Sequence, residues 1–143
     1  MPTNLNKTLA ARIVLGFLGG LLIGLVVFGV SRRINPSSTV QIKINEKSYT
    51  LEIAKTPAQR AKGLMLRENL DENKGMLFVF PREGRHGFWM YKTRIPLKMI
   101  WLDKNWKVVH MEAQVPPCES EDPLKCPSYY PSKPAMYVIE INP

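Results

Sequence analysis

The segment from Arg82 to Trp101 concentrates the side chains best suited to hold a ligand. It carries Arg82, Arg85, Lys92, Arg94 and Lys98 against one acid, Glu83. His86, Phe88, Trp89, Tyr91 and Trp101 are interleaved with them. Aromatic faces beside cations suit sugar rings, anionic polymers or lipid headgroups. The same stretch also reads as plain structure, with Phe88, Trp89 and Met90 in a core and the cations solvated. For Phe88 and Met90 the core reading is the better one. Thr93 and Pro96 have the character of turn residues, and Thr93 also suits the wall of a pocket. Arg60, Arg67, Trp89 and Thr93 are therefore the candidate ligand-binding residues. The arginines engage an anion and Trp89 stacks, provided that a helix carrying Arg60 packs beside the Trp89 strand.

Cys118 and Cys126 stand eight positions apart in one Pro-rich loop. A disulfide there closes a small ring and orders a loop with little core of its own, for roughly 2–3 kcal/mol. Two free thiols are the alternative. A zinc site needs two more ligands, and only His86 and His110 are on offer, neither at finger-like spacing. A cysteine–histidine nucleophile has nothing to place either imidazole near a thiol, and a disulfide removes it. Glu119, Glu121 and Asp122 read as a solvated loop rather than a calcium site. No Gly-rich phosphate loop and no His-Glu-x-x-His run is present. No catalytic residue, cofactor or metal is expected.

These residues need a scaffold, and the apolar pattern supplies one. Val40, Ile42 and Ile44 alternate with polar residues, as do Tyr49, Leu51 and Ile53, and Asn45-Glu46-Lys47 offers the turn between them. Thr56, Pro57 and Gln59 form the signature of a helix start with a capping box. That helix is short, because Gly63, Asn69 and Asp71 interrupt it. Gly75 to Phe80 reads as a fully buried strand ended by Pro81, and Phe88 to Met90 as a short one. Leu97 to Leu102 and Lys107 to Val115 flank a hairpin turn at Asp103 to Trp106. Pro116 to Pro134 is a long loop, and Ala135 to Ile141 is a last strand. About seven strands and one short helix predict a mainly β fold, a sandwich or small barrel.

The N-terminal part differs. Ile13 to Val30 is 18 residues without a charge, about the length needed to span a bilayer. This predicts a tail over 1–12, a single transmembrane anchor over 13–31, a linker over 32–38 and a β-rich domain over 39–143. A cleaved signal peptide fits less well, since its apolar core runs ~7–15 residues and Gly29 and Ser31 make a poor cleavage site. Gly20 and Gly24 have the spacing of a close helix–helix contact, although membrane helices are commonly Gly-rich. Basic residues follow the span as well as precede it, so a naive positive-inside count puts the domain in the cytoplasm. The cysteine pair argues for the extracytoplasmic side, and it carries more weight because a folded domain can translocate despite its charges.

Composition sets the outer limits. The 143 residues hold 20 Lys+Arg and 12 Asp+Glu, a net charge of +8, with 45% hydrophobic residues. That excludes a wholly disordered chain. Twelve Pro and nine Gly argue against a helical bundle. Half the excess charge lies in the first 33 residues, which contain four basic residues and no acid. The rest is only mildly basic, so nucleic acid is not an expected partner. Oligomeric state is left open.

Gly87-Phe-Trp-Met-Tyr-Lys-Thr-Arg-Ile-Pro-Leu97 resembles the prokaryotic family called domain of unknown function 192. Val40 to Ile44, Ile53-Ala54, Thr56 with Arg60, Gly63 to Arg67, Gly75 to Phe80, Cys126 to Tyr129 and Tyr137 to Glu140 match its pattern too. The likeness covers residues 39–142. It implies a jelly-roll-like sandwich or barrel with one short helix, often secreted or tethered by one N-terminal helix, and no known reaction. The family pattern usually has Asn at Lys92 and Asp at Lys98, so a site there has a different charge in this chain. The family usually continues past the last strand with further closing elements. This chain stops at Pro143, so either the sequence is truncated or the sheet keeps an open edge able to pair with another chain.

The first expectation is a single-pass membrane protein whose extracytoplasmic domain binds an envelope ligand without catalysis. The ligand is a glycan, an anionic polymer or a lipid headgroup. An interaction subunit of a membrane complex is the alternative, using the helix Gly face and the open edge. An enzyme of unknown reaction is the second alternative, and it needs a titratable group in the groove.

Overall fold

Alternation at the start of the domain produces a hairpin. In the computed structural model, which describes residues 38–143, Thr39–Ile44 (β1) pairs antiparallel with Lys47–Ala54 (β2). Asn45 and Glu46 both have positive φ, 45° and 68°, as the tight primed hairpin turn requires. Thr56 then caps Pro57–Lys62 (α1), and the capping box with Gln59 is complete in both directions. Thr56→Ala is expected to cost about 1 kcal/mol in urea denaturation. Gly63 ends the helix at φ 47°, where a side chain is strained.

The helix is a crossover. It returns the chain so that Lys74–Gly84 (β3) pairs parallel with β2. Phe88–Trp89 (β4) follows, then Leu97–Leu102 (β5), Val108–Val115 (β6), Ser128–Tyr129 (β7) and Ala135–Ile141 (β8). Six strands make one mixed sheet in the order β1-β2-β3-β8-β5-β6, and β4 with β7 makes a small ribbon.

Several expectations are corrected here. The described residues form eight strands, not about seven, because two residues of the Pro-rich loop form β7. The main sheet does not close into a barrel, and its β2–β3 pair is parallel, with α1 as the crossover that such a pair needs. The strand after Pro81 continues to Gly84, but its ladder with β8 lapses between Val79 and Gly84, where a residue without an N–H costs nothing. The sheet does have open edges, β1 and β6, and the last strand lies inside it between β3 and β5.

Both faces of the central strands are apolar. One face buries Met76, Phe78, Met99, Trp101 and Val138 under α1, the following loop and the ribbon. The other gathers Leu51, Leu77, Ile100, Ile139 and Ile141, with Val40 and Ile42 packed against them. Among the described residues no helix is long and apolar enough to cross a membrane. The expected tail and anchor, over 1–12 and 13–31, lie outside those residues, as does all but the end of the linker.

Candidate functional site

The Cys118–Cys126 disulfide is formed, with its Cα atoms 5.7 Å apart. The free-thiol, zinc and nucleophile alternatives therefore fall. The ring it closes leads directly into β7, whose Ser128 and Tyr129 pair with Trp89 and Phe88. The staple thus steadies the strand that carries Trp89.

Trp89 stands at the rim of a small cavity of about 30 Å³ and is 43% exposed. Its ring lies 5.4 Å from that of Tyr91, tilted by 43°. Arg60, Gly63, Met65, Phe88 and Thr93 line the same cavity, so α1 does pack beside the Trp89 strand. Three of the four candidate residues, Arg60, Trp89 and Thr93, thus meet. Arg67 does not line it. Its guanidinium is paired with Glu52, at 2.7 and 2.8 Å. Arg60 is engaged as well. Its Nη1 donates to the carbonyls of Lys55 and Val79, and its guanidinium lies 5.0 Å over the Phe80 ring. It ties α1 to β3 while facing the cavity.

The cavity also contains Glu140, a residue outside the four candidates read from the sequence. It projects from the middle of β8, flanked in register by Met76 and Met99, and is 4% exposed. Burial lifts its carboxyl from 4.5 to about 8, so it is neutral at pH 7. Among the described residues no protein group hydrogen-bonds the side chain of Glu140 or the hydroxyl of Thr93, itself 6% exposed. Yet among the described residues no sealed side-chain oxygen lacks a partner. Both groups therefore open onto the cavity. A signal existed: Glu140 is the one acid in an otherwise apolar strand, and acids are seldom fully buried.

The turn from Met90 to Thr93 closes the rim, with Thr93 N–H donating to Met90 O. Lys92 occupies its third position at φ 55°, and its carbonyl accepts from Leu66 N–H at 2.7 Å. Asn tolerates a left-handed φ better than Lys does. Lys92→Asn is expected to raise unfolding stability by about 0.5–1 kcal/mol, read by urea titration; an unchanged or lower midpoint contradicts that.

The sequence profile of the DUF192 family, described as uncharacterized ACR, matches residues 40–143. The chain belongs to the DUF192 family. A comparison with curated proteins gives no match. Among solved structures, the domain is similar to a protein of unknown function from Novosphingobium aromaticivorans. Identity is 27%, the match covers 78% of each chain, and the TM-score is 0.64. It is also similar to a proposed transcription regulator from Sinorhizobium meliloti. There identity is 29%, coverage is 73% of this chain and 78% of the other, and the TM-score is 0.59. This DUF192 chain presents, at the motif around Trp89, an exposed indole beside an enclosed pair of oxygen groups.

Proposed function

We propose that this DUF192 protein is a membrane-anchored, extracytoplasmic binding protein for a hydroxyl-rich, anionic envelope glycan. The observation that carries the reading is the pair formed by Thr93 and Glu140. Both are buried, both lack protein partners among the described residues, and both face a cavity large enough for one or two water-sized groups. A neutral carboxyl offers one O–H donor and acceptor oxygens, and a threonine hydroxyl does the same. Sugar hydroxyls, which both donate and accept, match this chemistry. Trp89 supplies the stacking face at the rim, and Arg60 and Lys62 supply positive charge. The disulfide is consistent with an oxidising compartment.

The test is binding of the protein to arrayed envelope glycans and to anionic liposomes. Trp89→Ala is expected to weaken glycan binding at least tenfold, since buried aromatic anchors are typically worth ~2 kcal/mol or more. No bound glycan, or equal binding by the variant, defeats the proposal. Glu140 also favours a second reading, an acid catalyst, because a carboxyl neutral at pH 7 in a cavity can donate a proton. Turnover of a bound glycan, lost in Glu140→Gln, distinguishes catalysis from binding.

A further inference from the structure

On the other side of Thr93 lies a second concavity of about 420 Å³, within the range of ligand sites. One wall is the turn bearing Lys92 and Arg94. The other is the segment Pro117–Glu121, bearing Glu119 and Glu121. The two walls carry opposite charge and do not close on each other. Arg94, which lines the groove, is also paired with Glu68 at 2.9 Å. The Lys92 ammonium lies 5.1 Å over the Tyr91 ring. Among the described residues, Lys92, Glu119 and Glu121 form no ion pair.

Each wall is held apart by its own bonds. The Lys92 carbonyl is fixed by Leu66 N–H, and Cys118 is stapled to Cys126 and packed against the main core cluster. Ser120 Oγ accepts from Asp122 N–H and donates to Asp122 O, both at 3.1 Å, which fixes the turn between the two glutamates and the helical turn that follows. The gap is therefore preorganised, and a ligand entering it meets cations on one side and carboxylates on the other.

We propose that this groove binds a small zwitterion, an ammonium joined through a short linker to a carboxylate or phosphate. The anion faces Lys92 and Arg94, and the ammonium faces Glu119 and Glu121. A peptide and an ethanolamine phosphate headgroup share this chemistry. The site is separate from the Trp89 cavity and does not depend on the glycan reading.

The test is calorimetric titration of the full chain with alanylalanine and with glycerophosphoethanolamine. Ethanolamine and dimethyl phosphate, a monoanionic diester, serve as the single-charge halves. At least one zwitterion is expected to bind tenfold or more tighter than either half, and the tighter of the two names the source. Lys92→Asn, which suits the turn, and the double variant Glu119→Gln/Glu121→Gln are each expected to weaken it at least tenfold. Replacing both cysteines by Ser is expected to weaken it too, by releasing one wall. Zwitterions that bind no better than their halves overturn the proposal, as does unchanged affinity in the glutamine variant. Glycan binding is read with Trp89→Ala and zwitterion binding with the glutamine pair, so either proposal can fail while the other stands.

Discussion

Glu140→Gln is expected to make the domain more stable at pH 8 by about 3–5 kcal/mol, and by less than about 1 kcal/mol at pH 5. The reason is the apolar setting of this carboxyl, between Met76 and Met99 on the central strand β8. In the unfolded chain it ionises near 4.5, and in the folded chain near 8. Below 4.5 both states hold the proton, and the folded state keeps its full stability. Between 4.5 and 8 the unfolded state has released the proton and the folded state has not, so stability falls by about 1.4 kcal/mol per pH unit. Above 8 both are ionised and the loss is complete. Glutamine has the same shape and no proton to lose, so its stability should not follow that slope. Urea titrations of both proteins at pH 5, 6.5 and 8 read the effect as a difference, which cancels the other titrating groups. Parallel curves for the two proteins refute it. A gain in stability joined to a loss of glycan binding means that the acid is kept for its function at a cost to the fold.

What the sequence discloses is mostly local. The β1–β2 hairpin, the Thr56 capping box, the β5–β6 hairpin and the span of β8 follow from period-two alternation and from capping within a few residues. The pairing of β2 with β3 and the insertion of β8 between β3 and β5 join segments far apart in the chain, and no local pattern encodes them. A six-strand open sheet with a two-strand ribbon and a seven-strand barrel therefore look alike in one dimension. β7 is only two residues long, too short for a period.

The site divides in the same way. Trp89 and Thr93 are legible because an aromatic and a turn residue stand out among cations. Arg67 is not, because its partner Glu52 lies across the fold from it in sequence. Glu140 falls between the two cases. Its chemistry depends on which face of β8 it takes. The alternation that puts Val138 on the main core face puts Glu140 there too, with Ile139 and Ile141 on the opposite face. The left-handed φ at Lys92 would suit the Asn that the family resemblance implies at that position.

Trp101→Ala is expected to cost about 3–5 kcal/mol, because truncating a fully enclosed indole leaves a large cavity. Trp101 is 0% exposed, one residue before the end of β5. Its Nε1 donates to the carbonyl of His86 at 3.0 Å, fastening the chain just before β4. Its ring meets Phe88 edge-on at 5.8 Å, and Phe88 in turn meets Phe78 at 4.8 Å. Alanine removes the indole's bond and its contact with Phe88, and strands a carbonyl. A domain of this size has about 5–15 kcal/mol in total, so the variant sits near its unfolding threshold at 37 °C. Trp101→Phe keeps much of the volume and loses the donor, and is expected to cost about half as much. The consequence reaches the site, since Phe88 lines the Trp89 cavity and anchors the ribbon strand that presents the indole. Glycan affinity should therefore fall in Trp101→Ala even at temperatures where it remains folded. Thermal unfolding followed by near-ultraviolet circular dichroism gives the stability, and titration at 10 °C gives the affinity. A variant as stable as the parent would mean that this residue does not organise the core around which the site is built.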